Sequence, residues 1–154
     1  MAIREIRMLG DSVLKKKARE VTEITPRIKE LVQDMFETMY EQYGAGLAAP
    51  QVGILKRIVV IDIDSNPTTF INPVIEETSG EQVGDEGCLS LPGKSGTVAR
   101  PSYVKVSAYD LHMKKFTVEA EGMMARAVCH ELDHLDGIMY VEHVIGELRD
   151  VEEE

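Results

Sequence analysis

Ile28, Leu31, Val32, Met35 and Met39 recur three and four residues apart, the spacing that gathers side chains on one face of a helix. Thr25 before them suits an N-cap, Pro26 suits the first helical position, and Gly44 and Gly46 follow the run. The pattern predicts an N-terminal amphipathic helix. The period then shortens. "RIVVIDI" and "TFINPVI" are short β-branched runs separated by Asp64-Ser65-Asn66-Pro67, and they read as two strands joined by a turn. "YVKVSAYD" and "KFTVEA" alternate with period two and read as a second antiparallel pair. Helical spacing returns from about 122 to 135, through Met123, Ala127, Val128 and Leu135, with Gly137 just past the end. The tail "GELRDVEEE" reads as one or two helical turns or a frayed end.

Helix, strands, then helix predicts an α+β fold, with antiparallel sheets packed around the late helix. A chain of 154 residues reads as a single domain, 1–154, of which about 146–154 is a short acidic tail.

Composition acts mainly by exclusion. The chain is 44% hydrophobic and 29% charged, as a globular protein should be, with a net charge of −10. That charge removes any general electrostatic reason to expect nucleic acid or an anionic membrane as partner. The basic cluster Lys15, Lys16, Lys17 and Arg19 reads as the solvated face of a short turn. Two cysteines, Cys88 and Cys129, are too few for a disulfide framework. "MAIREIRML" has no apolar leader core, and no apolar run approaches the length of a membrane span. The expectation is a cytoplasmic protein with free thiols and no membrane.

The chemistry concentrates in "AVCHELDHLDG", which contains His130-Glu131-x-x-His134 on the late helix. Residues four apart differ by about 40° around a helix axis, so His130 and His134 converge on one ion. Glu131, about 100° away, can reach the solvent side of that ion without ligating it. Downstream third ligands are poor. Tyr140 stands where one zinc-peptidase pattern wants a histidine, His143 is three residues too late, and Glu152, Glu153 and Glu154 form a terminal charge run. Upstream, "GDEGCLSLPG" offers Cys88, a thiolate ligand flanked by glycine. A Cys88, His130, His134 set leaves a fourth position open, which is the arrangement of a catalytic site. Cys129 points about 100° from His130 and reads as a core residue, and His112 reads as a surface histidine. A further small-residue loop, "GAGLAAPQVG", ends in the amide of Gln51 and lacks the rest of a nucleotide loop.

Taken together, "GAGLAAPQ", "EGCLS" and "HELDH", in this order and at these separations, resemble the peptide deformylase family over essentially the whole chain. The resemblance implies removal of the N-formyl group from formyl-methionine at the start of nascent polypeptides. It implies one divalent metal per chain, Fe(II) above all, with Zn(II), Ni(II) or Co(II) able to replace it. By motif, Cys88, His130 and His134 would hold the metal. Glu131 would be the general acid/base to a hydroxide formed on the ion, while the Gln51 side chain and the Leu89 N–H would donate to the carbonyl oxygen. Gln51 could also brace its own loop. Gly46 and the Gly87 region would pair with the substrate backbone, and Ala45, Met123, Ala127 and His130 would line the methionine pocket. Ser95 stands where many relatives carry arginine, and the acidic "LRDVEEE" departs from the basic C-terminal helix with which some members dock on the ribosome. A transient ribosome contact therefore needs another mode. Iron beside a thiolate also predicts oxygen sensitivity. Two other readings remain: a non-catalytic metal- or peptide-binding relative, against which Glu131 and Gln51 count, and a zincin-type endopeptidase, against which "EGCLS" counts.

Overall fold

A computed structural model describes residues 2–151 of the chain. The amphipathic stretch is helix α1, Pro26–Glu41, and the side chain of Thr25 accepts from Ile28 N at 3.2 Å as its cap. Ile28, Leu31, Val32, Met35 and Met39 are all buried, as their spacing predicts.

Five antiparallel strands form the larger sheet. They are β1 (Gly46–Ala48), β2 (Ile58–Ile63), β3 (Asn66–Ser79), and, after the smaller sheet in sequence, β6 (Tyr103–Tyr109) and β7 (Lys115–Glu121), in the order β1-β2-β3-β6-β7. Ile63 pairs with Asn66, so the β2–β3 turn is only Asp64-Ser65. Both have positive φ, 57° and 58°, the conformation whose twist matches a two-residue hairpin.

The run "IVVI" is apolar on both parities because β2 is covered on both faces. Ile58 and Val60 pack with α1, whereas Val59 and Ile61 pack with helix α2, Gly122–Leu135. Ala125, Val128, Cys129, Leu132 and Leu135 of α2 close that second core, and the buried Cys129 confirms its packing role. His112 is exposed, as expected of a surface histidine.

A smaller sheet holds β4 (Gln82–Cys88), β5 (Leu91–Arg100) and β8 (Val144–Asp150), all antiparallel, in the order β4-β5-β8. The expected helical or frayed tail is thus corrected over 144–150: it is a strand, because the far edge of β5 supplies its hydrogen-bonding partners. Glu152, Glu153 and Glu154 lie outside the described residues. Lys15, Lys16, Lys17 and Arg19 are exposed, and Lys15 ends a short 3₁₀ turn, Ser12–Lys15. This strap runs past the carboxyl end of α2, where Ala18 N donates to Leu135 O at 2.8 Å.

The strand orders leave β1 and β4 as free edges of the two sheets. Gly46 on β1 and Gly87 on β4 line one cleft between them, and α2 forms its floor.

Candidate active site

Helix α2 brings His130 and His134 to one face, and β4 delivers Cys88 to them across the sheet boundary. One ligand atom from each lies within 4.8 Å of the others. Cys88 Sγ is 3.4 Å from His134 Nε2. Around a tetrahedral ion with bonds of about 2.3 Å to sulfur and 2.0 Å to nitrogen, that edge would be about 3.5 Å, so the donors fit a divalent metal.

The histidines are not equivalent. His130 Nδ1 meets Glu86 Oε1 at 2.8 Å, which orients the ring and leaves Nε2 for a metal. Burial lowers the affinity of His130 for a proton, but the charge of Glu131 and contacts with Cys88 and Glu86 outweigh it and raise its pKa to about 10. The same anionic surroundings favour a metal cation, which must displace that proton to bind. Burial, with the neighbouring charges of His130 and Arg100, lowers His134 to about 3, so its imidazole is neutral near pH 7 and ready to ligate. The ring of Tyr140 stacks on His130 at 5.8 Å.

Glu86 was not singled out from the sequence, and it organises much of the site. It is buried and takes two bonds from Arg100 (2.9 and 3.0 Å), one from Arg126 (2.7 Å) and one involving His130. Burial alone would push its carboxyl up, but the bonds from His130 and Arg100 hold it at about 2. Arg100 continues to Asp133 Oδ2 at 2.8 Å, and His143 reaches the same carboxylate at 3.3 Å. Two spacings carried a signal for this network. Glu86 stands two residues before Cys88 on one strand, and Arg126 stands four before His130 on one helix. Arg126 also approaches the carbonyls of Gly84 and Val98, at 3.4 and 3.2 Å, and a Cβ on Gly84 would come within 3.1 Å of its guanidinium.

Glu131 is buried, and burial pushes its carboxyl up to about 7. Its Oε1 finds no hydrogen-bond partner among the described residues. A Cβ on Gly46 would stand 2.7 Å from Oε2, so only glycine lets the β1 edge pass this close to the carboxylate.

Gln51 braces its own loop. Its Oε1 accepts from Ala48 N at 3.0 Å, bracing the loop, and that anchor turns its amide N–H₂ toward Ser90 Oγ (3.1 Å) and Cys88 Sγ (3.4 Å). Leu89 and Ser90 are the two-residue turn between β4 and β5, since Cys88 pairs directly with Leu91. Leu89 therefore follows the thiol at the cleft wall.

The cleft has a volume of about 410 Å³. Ala45, Gly46, Gln51, Gly87, Cys88, Leu89, Met123, Ala127, His130 and Glu131 all line it, while His134 lies fully buried beneath. Met123 is 67% exposed, which places it at the mouth rather than in the interior. Ser95 stands opposite Arg149 of β8, whose guanidinium reaches Asp85 on the same wall at 2.5 Å. Arg126 and Val151 also line the cleft, and neither was anticipated.

Comparison with known proteins points one way. The family described as polypeptide deformylase matches residues 3–150. The peptide deformylase of Lachnoclostridium phytofermentans is 61% identical over 154 residues, covering 98% of this chain and 94% of its own length. That of Agathobacter rectalis is 61% identical over 151 residues, covering 98% of this chain and 96% of its own. Among solved structures, peptide deformylase from Thermotoga maritima superimposes with a TM-score of 0.92 at 38% identity, covering 95% of this chain and all of that one. A peptide deformylase from Synechococcus elongatus, in complex with actinonin, gives 0.90 at 41% identity, covering 93% and 79% of the two chains.

Proposed function

The chain belongs to the polypeptide deformylase family, and from that premise we propose how its cleft removes the N-formyl group of nascent polypeptides. Cys88, His130 and His134 would hold a divalent metal, which when bound would supply an acidified water near neutral pH and polarisation of the formyl carbonyl.

The observation that carries the reading is the unpartnered, buried Oε1 of Glu131 beside the three ligands. A buried carboxylate oxygen without a partner costs free energy unless a reactant supplies one. Glu131, with its pKa near 7, takes the water proton and passes it to the departing amine. Charge developing on the carbonyl oxygen is met by the Leu89 N–H and by the Gln51 N–H that otherwise makes only the 3.4 Å contact with sulfur. Ser90 and Ala48 keep the Gln51 amide aimed during that exchange.

The free edges of β1 and β4 support an extended substrate whose main chain pairs at Gly46 and Gly87, so the residues after methionine can vary. Ala45, Met123 and Ala127 receive the methionine side chain, with Met123 closing over it from the mouth. The domain that carries this site spans 1–154.

Fe(II) is the working ion in this reading, and Zn(II), Ni(II) or Co(II) occupies the same donors in preparations, because a thiolate with two imidazoles suits all four. Work on nascent chains places the enzyme in the cytoplasm. It brings the chain into transient contact with the ribosome, to which Val144–Asp150 offers a strand rather than a helix.

The test is formate release from formyl-Met-Ala-Ser by anaerobically purified protein loaded with Fe(II) or Ni(II), with Glu131→Ala beside it and metal content measured in both. Turnover that Glu131→Ala lowers at least about a hundredfold, with its metal retained, supports the assignment. A metal-loaded, folded wild type without turnover overturns it in favour of the non-catalytic relative.

A further inference from the structure

The cations of this acidic chain are unevenly placed. Residues 1–57 carry ten Lys/Arg against eight Asp/Glu, and residues 58–154 carry seven against nineteen. The structure gathers part of the basic end into one strip. Lys15, Lys16, Lys17 and Arg19 are exposed, while Leu14, Ala18 and Val21 are buried and fasten the strap to the body. Arg19 is bridged to the exposed Lys56 through Arg19 N to Leu55 O (3.0 Å) and Arg57 N to Arg19 O (2.8 Å). Beneath the strip, Arg57 pairs with Asp136 at 3.1 Å and donates to Leu135 O at 3.1 Å. Lys15 O lies so close to Gly137 that a Cβ there would collide with it. The backbone that presents the cations is therefore held in place. Among the described residues, none of Lys15, Lys16, Lys17, Arg19 or Lys56 has an ion-pair partner, whereas seven of the other twelve cations do.

We propose that this strip docks on the phosphate backbone of RNA. The inference rests on the deformylase reading, which sets the chain beside nascent polypeptides and so beside the RNA of the particle that makes them. Like charges held together repel one another, and a polyanion relieves that repulsion while gaining the entropy of its released counterions. The net charge of −10 does not oppose such a contact, because fields between exposed charges decay over about 8 Å in physiological salt. Met123 at the cleft mouth and Leu135 beneath the strip are separated on α2 by about 18 Å, at 1.5 Å per residue. Phosphate repels the acidic remainder, so the protein meets RNA strap first and keeps the cleft mouth clear. Glu20 at the end of the strap bounds the strip, as do Glu23 and Glu30 on the depression that Lys56 shares with Arg27. An anionic membrane is the poorer match, since Leu14, Ala18 and Val21 are buried and give no apolar anchor beside the charges.

The experiment follows a fluorescein-labelled RNA duplex by anisotropy as metal-loaded enzyme is added, between about 50 and 200 mM salt. Lys16→Gln/Lys17→Gln/Arg19→Gln, shown folded by thermal denaturation, should bind about 10–100-fold more weakly at the lowest salt. Its slope of log K on log salt should be shallower by about two to three. Lys105→Gln/Lys114→Gln/Lys115→Gln changes the net charge equally at β6 and β7 and should bind within about twofold of wild type. Both variants should release formate from formyl-Met-Ala-Ser at the wild-type rate. A wild type without salt-dependent RNA binding, equal weakening by the two triple variants, or tighter binding to phosphatidylserine vesicles than to RNA would each overturn the inference. Failure of the wild type to release formate would overturn the deformylase reading, and the anisotropy would still judge the strip.

Discussion

The two sheets that meet at the cleft are stabilised in different ways. The five-stranded sheet buries Ile58, Val59, Val60, Ile61, Phe70, Ile71, Val104 and Val106 between or against two helices, and large side chains of this kind are worth about 1.5–3 kcal/mol each. The three-stranded sheet buries one apolar side chain, Val98, beside the charged Glu86 and Arg100. It lacks the hydrophobic surface to fix its own position. It is tied to α2 instead by the Glu86 network with Arg126 and His130, and the three ligand atoms span the same boundary. Ligand geometry and sheet docking are therefore one problem on this side of the cleft. On the other side the scaffold stands without the site.

Glu86→Gln should break the contrast most strongly. It leaves Arg100 with Asp133 as its one carboxylate partner and Arg126 with carbonyls only, and it removes the carboxylate that orients His130. The expected cost is about 3–5 kcal/mol in denaturant unfolding, with metal affinity about 10–100-fold weaker by chelator competition. Phe70→Ala, on the side that stands alone, should cost about 3–5 kcal/mol as well while leaving metal affinity within about twofold. If both variants weaken metal binding equally, the two sheets are one cooperative unit and the comparison fails.

Asp34 on α1 tests whether a buried charge in the apolar half behaves differently. Burial would raise its carboxyl, but bonds from Ala2 N (2.8 Å) and Arg4 Nε (2.9 Å) hold it below the usual value. Its contribution is then present above the unfolded value of 3.8 and lost as pH falls through the lower folded one. Asp34→Asn should be less stable than wild type at pH 7, by less than either variant above, and the gap should be narrower at pH 3, below the unfolded value. Chemical denaturation at both pH values checks the sign, and a constant gap would contradict it. Least of all should Arg149→Ala matter to stability: its pair with Asp85 is solvent-exposed, and the unfolding midpoint in about 0.15 M salt should stay within error.

The same contrast decides what could be read from the chain. Helix α1, helix α2 and strands β2, β3, β6 and β7 announce themselves because their apolar spacing answers to a core on a known face. Strands β4, β5 and β8 carry glycine, charge and little buried surface, so no period marks them, and their pairing becomes visible only when an edge is there to receive them. No period marks Arg126 either, because the room for its guanidinium comes from the absence of a side chain at Gly84 on another element.

Local order and residue chemistry, by themselves, determined the two helices, the His130–Glu131–His134 face and the need for a thiolate, because helix spacing and ligand preference act over a few residues. Only the tertiary structure decided that Glu86 orients His130 across 44 residues of chain, that Gly46 must lack a side chain for Glu131, and that Val144–Asp150 becomes a strand. Those facts depend on which edges and charges are brought together by chain closure, and no local period encodes that pairing.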